Sequence, residues 1–203
     1  MEERPGRQRK RESRPAGPAP DAAALREAAL LHLSRFAASE AQLAAVLGRR
    51  IERWARRAEA EGRDAAAVVR DRDQARAAIA PVIAALRDLG VLNDAEFAAS
   101  RAKRLTREGR SRRATLAHLA ARGIRQETAE EILPEDDARD LAAACAFLRR
   151  RRLPPFAAGD RLRALAALAR AGYDRDTAEQ ALDLDPEDAE DRIIALRRGA
   201  LPG

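Results

Sequence analysis

The segment GRSRRATLAHLAARGIRQETAEEIL, from Gly109 to Leu133, returns as GDRLRALAALARAGYDRDTAEQAL, from Gly159 to Leu182, its end forty-nine residues later. With that offset Leu116, Leu119, Gly123, Thr128, Ala129, Glu130 and Leu133 fall on Leu165, Leu168, Gly172, Thr177, Ala178, Glu179 and Leu182. Leucines three apart turn one helical face to a core, the glycine ends that helix in a left-handed C-cap, and a short helix follows. A looser copy stands earlier, with Leu43 and Val46 seventy-three residues before Leu116 and Leu119. A helical unit of this size cannot bury its apolar stripe alone, so repetition implies stacking on a neighbour. The pattern predicts an all-α fold of three tandem three-helix repeats in an elongated, curved array whose concave face suits an extended partner.

Composition supports helices. Hydrophobic residues make up 46% of the chain and aromatics only 3%, so the core must be built from Ala and Leu, which favour close-packed helices over sheets. The expected organisation is a disordered basic leader over 1–20, a first repeat over 21–92 with a charged insertion at about 49–78, a second over 93–133, a third over 134–183, and a tail over 184–203 that is acidic and then basic. Helix starts are read at Asp21, at Ser39 with Gln42, at Asn93 with Glu96 and at Ser111, all capping residues. Pro81 must sit in the first turn of its helix or kink it. The stretch RDAAAVVRDRDQARAA is expected to be a connection with a helical turn or two, and RIIALRRGALPG a frayed tail helix.

Several function classes drop out. No run of eighteen apolar residues occurs and the N-terminus lacks the apolar stretch of a signal peptide, so a cytoplasmic protein without a membrane partner is expected. Cys145 has no second cysteine, and with only His32 and His118 beside it no zinc site can be assembled. Cys145 shares a stripe with Leu141 and Leu148 and reads as a buried thiol, Trp54 as core or interface, and His118 as a surface residue. No Ser, His and Asp arrangement, phosphate-binding glycine loop or paired catalytic carboxylates are found, so no enzyme and no cofactor are expected.

Charge carries the functional signal. The net charge of +6 is unevenly placed, and positions 101 to 122 hold seven Arg and one Lys against the single acid Glu108. On a helical wheel Lys103, Arg104 and Arg107 form a basic strip, whereas Arg101 falls inside the apolar stripe with Phe97, Ala98 and Leu105. Arg110, Arg112 and Arg113 cluster at a helix N-terminus, where the macrodipole disfavours cations by about 0.3 to 1 kcal/mol each, so an anionic partner is a rational reason for them. The run Arg149 to Arg152 reads as a solvated helix end.

The series LRDLGVLNDAEFAASRAKRLTREGRSRRATLAHLAARGI, together with HLSRFAASEAQLAAVLGRR, resembles the RecX family, regulators of the recombinase RecA, over roughly residues 25 to 182. The acidic pair usual after the leucine in that family is here Asn93 and Asp94. The resemblance implies a non-enzymatic, helical-repeat modulator, mainly an inhibitor, that lies in the groove of the RecA filament on single-stranded DNA. Recombination, DNA repair and the SOS response would be regulated through that contact. The contact residues expected are Arg101, Lys103, Arg104, Arg107, Arg110, Arg112, Arg113 and Arg122, with the chain working as a monomer and touching nucleic acid only weakly and without sequence preference. The rivals are a helix-turn-helix-like DNA reader and a helical-repeat scaffold. Against the DNA reader stand Glu127, Glu130 and Glu131 on the would-be recognition helix, and Asp174, Asp176 and Glu179 on its second copy, all repelled by phosphates.

Overall fold

The computed structural model describes residues 15–199. Among them are eleven helices and no strand: α1 Ala22–Leu33, α2 Glu40–Ala60, α3 Ala65–Ala77, α4 Ile79–Asp88, α5 Asp94–Arg107, α6 Arg112–Ala120, α7 Gln126–Ile132, α8 Asp137–Arg151, α9 Arg161–Ala171, α10 Arg175–Asp183 and α11 Pro186–Arg198. The all-α fold class is therefore what the chain adopts. The described residues divide into two compact units, 15–36 with 43–88, and 37–42 with 89–199.

In the first unit, Asp21 caps α1 by accepting from Ala24 N at 2.8 Å, and Leu25 and Ala29 are its buried residues. The long α2 buries Leu43, Leu47, Ile51, Trp54, Ala55 and Ala58, a stripe at three- and four-residue spacing. The expected charged connection is instead a thirteen-residue helix, α3. Asp64 caps it, accepting from Ala67 N at 2.9 Å, and Val68 and Ala75, two turns apart, are enough to dock it. Its weak periodicity hid a sequence rich in good helix formers. Pro81 is the third residue of α4, in the first turn, where its missing N–H has no intrahelical partner to lose. Of the expected leader, residues 1–14 lie outside the described residues. Pro15–Pro20 run along α2, where Ala16 and Ala19 pack against the cluster of Trp54, Ala55, Ala58 and Val68 and the indole N–H donates to the Gly17 carbonyl at 3.2 Å.

In the second unit, α5, α6 and α7 each touch the other two, and so do α8, α9 and α10. The centre is α8, in which every residue from Leu141 to Leu148 is buried. A helix enclosed on all sides needs small residues, and Ala142, Ala143, Ala144 and Ala146 supply them. The expected frayed tail is the thirteen-residue α11, which packs on α8 with Ala189 and Ile193 fully buried. Its acidic first turn and basic last turn match the helix dipole. Leu162, three residues before Leu165, is 75% exposed. It sits in the first turn, beyond the reach of the core that Ala164 and Leu168 face.

One joint occurs twice. Ser39, ahead of α2, donates its Oγ–H to the carbonyl of Arg122 at 2.6 Å, just before Gly123. Ser111, the N-cap of α6, donates to the carbonyl of Ala171 at 2.8 Å, just before Gly172. The two glycines have φ of 78° and 94°, and a Cβ on Gly123 would lie 2.2 Å from that of Ala41. The glycines thus end their helices and admit the start of another.

Candidate partner interface

The arginine-rich segment is α5, the turn at Gly109 and α6. Asn93 starts α5 by accepting from Glu96 N at 3.1 Å, and Phe97, Ala98, Ala102 and Leu105 fix which face is inward. At the turn, Gly109 has φ 76°, and a Cβ there would stand 2.5 Å from Phe147 N. The backbone of α8 therefore pins the position from which Arg110, Arg112 and Arg113 project.

The eight basic residues do not form one strip. Lys103 and Arg107 line a hollow of about 360 Å³ with Ile132, Asp136 and Arg139. Within it Arg107 donates to the carbonyl of Arg197 on α11. Arg112 is turned inward: its Nε donates to the Leu133 carbonyl at 2.9 Å and its Nη1 is 3.7 Å from Glu135. It satisfies a carbonyl left open at the end of α7, which accounts for a cation at an unfavourable place on α6. Arg113 is exposed with its guanidinium beside Gly172.

The charges of Arg122, Arg101, Arg110 and Arg104 all bear on His118. The Arg101 guanidinium lies 5.6 Å from the Phe97 ring centroid, so its place in the apolar stripe is taken by a cation over an aromatic face. Burial, then Arg122 and Arg104, lower its pKa. Arg122 points back along α6 to the His118 carbonyl, 3.4 Å from its Nη1. His118 is half-buried with no hydrogen-bond partner on Nε2, and its pKa is held below the ordinary value by burial first and then by Arg122, Arg101, Arg110 and Arg104. The nearby acid, Glu108, is engaged by Arg104 at 2.9 Å. This leaves several guanidinium groups in excess around an unpartnered imidazole, an arrangement suited to a carboxylate or a phosphate. Sequence reasoning treated His118 as an ordinary surface residue; its place one turn before Arg122 was the available signal.

The run at the end of α8 is absorbed locally, with Arg149 paired to Glu190 and Arg151 set 4.8 Å from the centroid of the Phe147 ring. Among the described residues no group of three or more His, Cys, Asp or Glu is placed to hold a metal ion, and no helix is long and apolar enough to cross a membrane.

Regulatory protein RecX of Myxococcus xanthus (strain DK1622) is 32% identical to this chain over 170 residues, covering 80% of this chain and 86% of that protein. The chain belongs to the RecX family. No family model matches it, and no solved structure matches it. The name of the Myxococcus relative is that of a regulatory protein.

Proposed function

We propose that the chain regulates the recombinase RecA, binding in the groove of the RecA filament on DNA and restraining its activity there, without catalysing a reaction and as a monomer in the cytoplasm. The observation that carries this reading is the set of guanidinium groups around His118 on a RecX-family scaffold. A groove that presents acidic side chains or the phosphates of a bound strand would be met by this charge, and charge complementarity of this kind gives fast, salt-sensitive association. The division into three repeats, with the tail closing the third, belongs to the same proposal, since stacked triplets lay an extended surface along a filament.

The exposed residues Lys103, Arg104, Arg110 and Arg113 are the ones to reverse, because Arg101, Arg107, Arg112 and Arg122 also hold the fold. The variant with all four changed to Glu should keep its helicity and lose inhibition of the RecA ATPase. Inhibition equal to wild type in a folded variant would contradict the proposal. The DNA-reader alternative is disfavoured by α7, a seven-residue helix on which Glu127, Glu130 and Glu131 are exposed.

A further inference from the structure

The first unit holds a basic groove that the α5 and α6 surface does not involve. At ~100° per residue, Arg49, Arg50, Arg53, Arg56 and Arg57 fall together on one flank of α2, while Glu52 and Glu59 fall on the other. All five arginines are exposed, and none has an ion pair or hydrogen bond among the described residues. Glu52 is drawn away by Arg76 at 2.8 Å.

The arginines face a built cavity. Beside Pro15–Pro20 on α2 lies a cleft of about 680 Å³, lined by Arg50, Arg53 and Arg57 with the Trp54 indole. Asp21, the one carboxylate in its lining, is committed to Ala24 N as the α1 cap. A second hollow of about 260 Å³ continues along the helix past Arg53, Arg56 and Arg57 to Glu61, which is neutralised by Arg63 at 3.1 Å. Residues 1–14 carry Arg4, Arg7, Arg9, Lys10, Arg11 and Arg14 against Glu2, Glu3 and Glu12, a net positive charge that makes them an unsuitable occupant of a basic groove.

We infer that this groove binds the phosphate backbone of a nucleic acid strand. Arginines at i, i+3 and i+7 advance about 5 Å per turn along α2, which sets a row of guanidinium groups against a row of phosphates. A protein partner is the poorer fit, because interfaces between proteins rely on buried apolar anchors, and no exposed large apolar side chain lies on α2. The buried Trp54 offers no free ring for stacking, so the contact reads charge and not base identity. This site is independent of the proposed filament surface.

The test is fluorescence-anisotropy titration of the full-length protein with a labelled oligodeoxythymidylate at several salt concentrations, with Trp54 emission recorded in parallel. Trp54 is the only tryptophan in the chain, so its emission reports the groove alone. Saturation should shift that emission. The variant R50Q/R53Q/R57Q, checked for helicity, should bind at least about tenfold more weakly, with a log–log salt slope smaller by about 2, since each phosphate contact in a single strand contributes about 0.7. The single variant R53Q, less at risk of misfolding, should lower the slope by about 0.7. The charge-reversed α5–α6 variant should keep the Trp54 response. Unchanged affinity and slope in either groove variant would overturn the inference. So would a silent Trp54 at saturation, or equal binding of polyglutamate, which would mark the groove as a surface for acidic protein.

Discussion

Burial and the surrounding arginines hold the pKa of His118 below its ordinary value, and the consequence is a defined pH dependence. Its pKa in the folded chain lies below the ordinary 6.5, so on acidification the unfolded chain takes up the proton first. The stability this contributes is full above about pH 6.5 and is lost as pH falls toward the depressed folded value. His118→Gln should therefore flatten the decline of urea-unfolding stability between about pH 7 and pH 5. An identical decline in the two proteins would mean that neither burial nor the arginines around the ring lower its pKa. Cys145 gives a second residue-level expectation. Burial raises its thiol to about 11, so at neutral pH it should not react with a disulfide reagent until denaturant is added. Rapid modification of the native protein would show that α8 is not enclosed as described. Arg112 shows how one side chain can mislead a reading by sequence, because its position on α6 is explained only by the carbonyl at the end of α7 that it reaches.

Helix starts and stops decide how these elements meet. Ser39→Ala and Ser111→Ala each remove the donor to a glycine-corner carbonyl together with a helix cap, of α2 and of α6, so each should cost about 1 to 2 kcal/mol in chemical unfolding. Gly109→Ala should cost more, on the order of 3 kcal/mol, since it adds left-handed strain to overlap with the α8 backbone. Ile193→Ala, in the tail helix, should cost about 2 to 5 kcal/mol, against almost nothing if α11 were a frayed appendage. Most of the fold was legible because capping residues, leucine spacing and glycine stops are local signals that agree with one another. The exceptions have physical reasons. For α3, two docking residues in a charged sequence leave little periodicity to detect. For α11, an acidic first turn looked like a solvated tail, although those acids suit the positive end of a helix dipole. The basic segment was legible as a segment, but which arginines are free was not, since Arg107 and Arg112 are engaged by elements distant in sequence.

At the scale of the molecule, unpaired positive charge is displayed on each of the two units, on α5 and α6 around His118 and on α2 around the Trp54 cleft. Little of it is needed to hold the helices together, since the cores are Ala and Leu and exposed ion pairs add at most about 1 kcal/mol each. The central claim is that the α5–α6 charge recognises a filament. The direct measurement is a light-scattering titration against RecA filaments assembled on single-stranded DNA, with free RecA alongside, using wild type and the variant in which Lys103, Arg104, Arg110 and Arg113 are Glu. The account predicts saturable binding of wild type to filaments, weaker binding to free RecA, and loss of filament binding by at least about tenfold in the variant, equivalent to about 1.4 kcal/mol. Equal binding by wild type and a folded variant, or no preference for filaments over free RecA, would contradict it.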